Sequence, residues 1–144
     1  MKLFSTAWNS STQVRKQRKY RYNAPLHIKQ KFAHVHLAPL LRKKYGTRNV
    51  QVRKGDKVRI MRGQFRKKEG KVERVDLKRE KIYINGAEII KKDGSKIMQS
   101  VKPSNLMILE LELGDKKRKQ KLEKTKKVET KESQKETKSK TKSE

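Results

Sequence analysis

The chain contains no cysteine, which excludes disulfides and thiolate metal sites and leaves a cytosolic setting unopposed. No apolar run approaches the roughly 18 residues a membrane helix needs, so no membrane partner of the spanning kind is expected. Hydrophobic residues make up only 31% of the 144 and charged residues 40%, with a mean hydropathy of −1.14. A packed core therefore cannot extend over the whole length. Acid is missing from the first third. Residues 1–50 hold 12 Lys and Arg with no Asp or Glu, residues 51–114 hold 17 and 9, and residues 115–144 hold 13 and 6. The middle is balanced enough to fold, while the first third is an uncompensated cation.

What is present in excess is positive charge. A net charge of +27 and an isoelectric point near 10.5 point to a polyanionic partner, because long-range attraction scales with the summed charge. A polybasic membrane-surface protein would need bulky apolar anchors striped along a basic helix, and Val14 to Tyr22 lacks that stripe. A phosphate-cradling nucleotide loop needs Gly-x4-Gly-Lys-Ser/Thr; here six residues separate Gly63 from Gly70, and Val72 stands where the hydroxyl belongs. Asp56, Glu69, Glu73, Asp76, Glu80, Glu88 and Asp93 sit among as many or more cations and read as solubility and pairing residues. None shares an expected cleft with a histidine, so neither an enzyme nor a small-molecule substrate is expected. His27, His34 and His36 have no acidic companion in the first 50 residues. They are expected to be structural or RNA-facing, with no metal and no cofactor.

Local pattern is richest between Val52 and Gly86. Gly55-Asp56 reads as a turn, after which Lys57 to Arg62 alternates, Val58 and Ile60 on one side and cations on the other: a half-buried strand with a positive outer face. Gly63 ends it. Gln64 to Glu69 has no strand pattern and carries Arg66, Lys67 and Lys68 on a loop tip suited to phosphates. After Gly70 a second strand resumes, but Val72, Val75 and Leu77 change phase between 72 and 75, which predicts a bulge. Lys81 to Asn85 alternates again, and Asn85-Gly86 is a turn signal. Beyond it, Ala87 to Ile90 and Lys96 to Val101 flank Asp93-Gly94 as a hairpin, and Pro103-Ser104 leads into Leu106-Met107-Ile108-Leu109, expected to be the closing, buried strand. Five or six short strands in about 60 residues predict a mainly β small barrel, only marginally stable without help.

Upstream, Met1 to Thr12 is an irregular arm whose Phe4 and Trp8 are candidates for docking on protein or stacking on a base. The opening Met1 to Lys19, acid-free and Ser/Thr-rich, resembles a transit peptide, but the acid-free character runs on past any cleavage site to Arg53. Val14 to Tyr22 carries five cations and two aromatics. Like charges at i, i+3 and i+4 repel, so its order is expected to come from a partner. Asn23-Ala24-Pro25 signals a helix start before LHIKQKFAHVHL, and Pro39 a second, with Leu37, Leu40, Leu41 and Tyr45 as one apolar stripe ended by Gly46. Both helices are expected to lie apolar side down on the barrel. From Asp115 only Leu122 and Val128 are apolar; Lys116 to Lys121 is a candidate helix end touching RNA, and the rest is expected to be a solvated, disordered tail.

Gly55-Asp56-x-Val58, Gly63, Glu69-Gly70-Lys71-Val72 and Val75 together resemble the KOW motif, a short module of ribosomal proteins and transcription-elongation factors. Outside it, RKQRKYRYNAPLHIKQKF, LAPLLRKKYGTRNVQVRKGD and KPSNLMIL follow the order seen in the family of large-subunit ribosomal protein twenty-four, twenty-six in eukaryotic numbering. The likeness is to its archaeal and eukaryotic members and spans roughly Ser5 to Leu113. It implies an SH3-like barrel at 51–113, a basic extension with short helices at 1–50 and a basic tail at 114–144. It also implies large-subunit ribosomal RNA and neighbouring ribosomal proteins as partners, early participation in assembly, a place near the mouth of the polypeptide exit tunnel in the cytoplasm, and no homo-oligomer. The elongation-factor alternative, which would touch polymerase, expects an adjoining globular domain that these residues do not suggest.

The expected RNA contacts follow the cations. In the arm they are Arg15, Lys16, Arg18, Lys19 and Arg21 with the stacking rings of Tyr20 and Tyr22; in the helical segment Lys29, Lys31, Arg42, Lys43, Lys44 and Arg48. Arg53 and Lys54 flank the first turn, and Arg62, Arg66, Lys67 and Lys68 form the loop tip, framed by the motif glycines Gly55, Gly63 and Gly70. Arg66-Lys67 stands where the motif commonly has Lys-Gly, so a different backbone path is expected there.

Overall fold

The computed structural model describes residues 4–5 and 11–123; Trp8 and the tail beyond residue 123 lie outside the described residues. In chain order the elements are α1 (Val14–Asn23), α2 (Leu26–Phe32), β1 (His34–Leu37), α3 (Pro39–Tyr45), β2 (Asn49–Gln51), β3 (Lys57–Ile60), β4 (Glu69–Asp76), β5 (Lys81–Ile90), β6 (Lys96–Val101), a 3-10 turn (Pro103–Asn105), β7 (Leu106–Glu110) and a final helix α4 at 116–123. The strands form one mainly β sheet in the order β2-β1-β7-β3-β4-β5-β6. It curls about a single core as a small barrel does, yet it is not closed: β2 and β6 remain its edges.

Alternation decides which side chains fill that core. Val58 and Ile60 of β3, Ile82 and Ile84 of β5, and Leu106 and Ile108 of β7 are each no more than 2% exposed, and burying such a side chain contributes about 1.5–3 kcal/mol. The phase change in β4 is a bulge, a register shift against β5 between Val72 and Arg74. Asp93-Gly94 turns the β5–β6 hairpin, with Gly94 at φ 81°. Gly46, at φ 69°, caps α3 and donates its N–H to the Arg42 carbonyl at 2.8 Å.

Four expectations need correction. Asn85-Gly86 does not end a strand; β5 runs through it, Gly86 at φ 85° absorbs a bulge between Tyr83 and Glu88, and the two expected strands are one. The second helix stops at Phe32, because His34–Leu37 alternates outward histidines with buried Val35 and Leu37 and joins the sheet. With β2, residues from the first 50 thus enter the sheet: β1 pairs antiparallel with β2 and parallel with β7. The Leu106 strand is therefore central between β1 and β3, where it was expected to close the barrel. Finally, Leu40 is 80% exposed; Leu37, Leu41 and Tyr45, spaced by fours, make the inward stripe and Leu40 falls beside it.

One buried charge fastens the ends of these elements together. Asp56, fully buried, accepts four hydrogen bonds: Oδ1 from Arg118 Nη1 at 2.7 Å and from the Glu112 N–H at 2.9 Å, Oδ2 from Arg118 Nη2 and from the Arg53 N–H, each at 2.8 Å. Arg118, 5% exposed, also donates to the carbonyls of Glu112 at 2.8 Å and Gln51 at 3.1 Å. The planar guanidinium fork matches a carboxylate in this way. Leu122, one turn on, is buried beside it. So α4 docks on the Gly55-Asp56 turn, a feature the lean composition of the tail conceals.

Gly70 is fixed by close approach. A Cβ placed there would lie 2.2 Å from the Asn85 carbonyl oxygen and 2.8 Å from Ile84 Cγ2, and a backbone oxygen cannot swing aside. Gly70→Ala is expected to destabilise by about 3 kcal/mol, at the upper end of ordinary overpacking, with the urea midpoint as the measurement.

Candidate nucleic-acid interface

The β3–β4 loop is a tightly bonded tip. Its base is closed by the Ile60 N–H to the Lys68 carbonyl at 2.9 Å and the Lys67 N–H to the Ile60 carbonyl at 2.8 Å; the Met61 N–H reaches the Asn105 carbonyl at 2.8 Å. Phe65 is its buried anchor, and Lys68 Nζ lies 5.0 Å from the centre of that ring. Lys67 adopts φ 72°, the left-handed conformation that glycine takes without strain. The turn that commonly holds a glycine is here built with a lysine in that left-handed conformation. Arg62, Arg66, Lys67 and Lys68 are exposed, and no carboxylate among the described residues lies within ion-pair distance of them. The loop thus holds four cations on an ordered backbone, which lowers the ordering cost of meeting phosphates.

The basic arm is helical despite its like charges. Nothing in α1 is buried, and Arg15, Lys16, Arg18, Lys19, Arg21 and Tyr22 face solvent. Its order comes instead from the end nearest α2: Tyr20 packs on Phe4 at 4.9 Å and edge-on to Phe32 at 6.3 Å, and the Arg21 guanidinium sits 5.3 Å above the Phe32 ring. Arg21 also meets Glu80 at 3.9 Å, so one cation of the arm is partly neutralised.

Other expected contacts divide by what they touch. Lys31, Lys43, Lys44, Arg48 and Lys54 are exposed. Lys29 Nζ donates to the Lys78 carbonyl at 3.2 Å and Arg42 Nε to the Leu37 carbonyl at 2.7 Å, so both staple helices to the sheet. Arg53 pairs with Asp115. That guanidinium, chiefly through its hydrogen bond, holds the Asp115 carboxyl below its ordinary 3.8, helped by the Lys117 N–H that Asp115 caps at 2.8 Å. Of the histidines, His34 Nδ1 faces Asn49 Oδ1 at 3.1 Å, and the described residues contain no group of three possible metal ligands.

Charge patterns along the chain missed one convergence. Arg79, Lys81 and Lys102 come together with Arg21 around a concavity of about 440 Å³. Lys81 opens one strand and Lys102 follows another, so only the Ile82–Val101 pairing brings them close.

Comparison with known proteins adds a line of its own. A sequence profile of the family described as ribosomal protein L26 of eukaryotes and its archaeal counterpart, ribosomal protein twenty-four, matches residues 11–125. The chain is 49% identical over 112 residues to the large ribosomal subunit protein uL24 of Methanosphaera stadtmanae, covering 78% of this chain and 96% of the relative. It is 49% identical over 108 residues to the protein of the same name from Methanothrix thermoacetophila, covering 75% and 93%. The Methanosarcina barkeri uL24 is 48% identical over the same shares.

Because Lys67 occupies a glycine-like conformation, a β-branched side chain there is strained. Lys67→Val is expected to cost about 1–2 kcal/mol without unfolding the sheet, and Lys67→Gly to cost no more than a few tenths; thermal melts of the two variants are the check.

Proposed function

The chain belongs to the family of eukaryotic ribosomal protein L26 and archaeal ribosomal protein twenty-four, and from that premise we propose that it binds large-subunit ribosomal RNA through phosphates and serves early in assembly near the exit tunnel. It is a structural constituent of the large ribosomal subunit, in the cytoplasm, in a family whose members are structural proteins and not enzymes. The observation that carries the RNA reading is the distribution of charge. Several of the scaffold's acids pair with scaffold cations, as in Lys57–Glu110 at 3.0 Å, Arg59–Glu69 at 2.8 Å and Asp56–Arg118 at 2.7 Å, whereas Arg62, Arg66, Lys67 and Lys68 on the loop tip and Arg15, Arg18 and Lys19 on α1 are exposed and in no ion pair among the described residues. Neighbouring ribosomal proteins are the second partner class.

A helix face and a rigid tip, both cationic, suit backbone contacts on a folded RNA; specificity then comes from RNA shape, since side chains do not reach the base edges of an A-form duplex through its deep groove. The α1 arm acts as a clamp, the seven-stranded sheet as the platform, and the basic segment from 114 as a further contact. Each phosphate neutralised contributes roughly 0.7–0.9 to the log–log salt slope of binding. Charge reversal of Arg15, Arg18 and Lys19 together is expected to reduce that slope by about 2 to 3, with far-ultraviolet and thermal signatures of the sheet unchanged. A triple variant that titrates onto ribosomal RNA with the wild-type slope would remove the arm from the interface.

A further inference from the structure

We propose that the concavity between the two N-terminal helices and the β5–β6 side of the sheet receives a single unpaired nucleotide of an RNA chain. The inference rests on the RNA-binding reading above and adds to it a defined pocket that base-by-base contact, not general cationic attraction, would fill.

The walls fit that ligand chemically. The volume, about 440 Å³, lies in the range of roughly 300–1,000 Å³ typical of small-molecule sites. One wall is formed by Arg21 and Phe32, the guanidinium 5.3 Å above the ring, with Tyr20 packed edge-on behind that ring at 6.3 Å and outside the lining. Bases stack on such aromatic and guanidinium planes. The rim carries Arg79, Lys81 and Lys102, placed for a phosphodiester, and the hydroxyl of Ser104 adds a neutral donor and acceptor. An acidic protein segment would satisfy the cations but would leave the stacking wall without use.

The walls are also held in place. Lys29 Nζ reaches the Lys78 carbonyl at 3.2 Å, tying α2 to the β4–β5 turn, and Asp76 Oδ1 accepts from the Arg79 N–H at 3.0 Å within that turn. Glu80 stands in the left-handed region at φ 55°, a conformation that costs a non-glycine residue of order 1–3 kcal/mol and clusters at ligand clamps. From there its carboxylate meets Arg21 at 3.9 Å and aims the guanidinium. The 3-10 turn supplies Pro103 and Ser104 to the concavity and, through the Asn105 carbonyl, holds the Met61 N–H at the foot of the β3–β4 loop.

Ultraviolet cross-linking of intact large subunits containing this chain, with digestion and mass spectrometry, tests the proposal. Nucleotide adducts are expected on peptides bearing Tyr20, Arg21 or Phe32 and on Lys81 or Lys102, all from one unpaired ribosomal RNA position. In Lys81→Ala/Lys102→Ala subunits their yield should fall at least five-fold while adducts on Arg62 to Lys68 persist. Should the double variant stay out of subunits, the wild-type adduct map decides alone. Adducts on the loop but none in the pocket would overturn the pocket and leave RNA binding standing; adducts nowhere on the chain would overturn both. A carboxyl-to-amine cross-link from Lys81 or Lys102 to an acidic segment of another protein would assign the concavity to that protein and sink the proposal.

Discussion

The carboxylate of Asp56 is the constraint on which the architecture turns. Burying a charge is costly unless every lone-pair direction is met, and here two oxygens accept four hydrogen bonds from three separate stretches of chain. Meeting them requires the turn before β3, the end of β7 and the helix at 116–123 to converge. Gln51 at the end of β2 joins through its carbonyl. An open sheet with two free edges thereby acquires a closed knot at one end. The opposite end, where β3 hands over to the loop, is left to carry charge outward.

That polarity explains how a chain of net charge +27 folds at all. Self-repulsion destabilises a compact state of high net charge, so the acids are placed where strands must pack: Glu69 beside Arg59, Glu110 beside Lys57, Asp115 beside Arg53. Surface pairs of this kind are each worth little, about 0–1 kcal/mol. Their arrangement matters more than their strength, because it leaves the loop-tip cations and Arg15, Arg18 and Lys19 of α1 outside these pairs. Since the Asp115 carboxyl is held below its ordinary value, its stabilising share is complete above pH 4 or so and is lost only as pH falls further.

Much of this was legible in the sequence where a signal is local. Val58 and Ile60 announce β3 by alternation, the phase slip between Val72 and Val75 announces the bulge in β4, and Gly46 announces the end of α3. The misreadings share a cause: partners distant in sequence. His34–Leu37 is too short to outvote the helical pattern before it, and only pairing with β7 makes it a strand. Asn85-Gly86 has turn chemistry, yet the long hairpin with β6 spends it on a bulge. Arg118 and Leu122 sit in a tail of forbidding composition, and their burial depends on Asp56, which lies 62 positions before Arg118. The loop cations were visible as a run, whereas Arg21, Arg79, Lys81 and Lys102 meet only through strand pairing and helix docking.

The buried Asp56–Arg118 pair is what unites the sheet with the final helix. Equilibrium unfolding of Arg118→Met, which keeps the side chain's bulk and removes its charge, is the direct measurement. Leaving buried Asp56 without its guanidinium partner should cost about 3–5 kcal/mol in one cooperative transition that includes the strands. A loss below about 1 kcal/mol, with the strands unfolding as before, would mean that the helix merely rests on the sheet and that the knot at Asp56 is not what holds the molecule together.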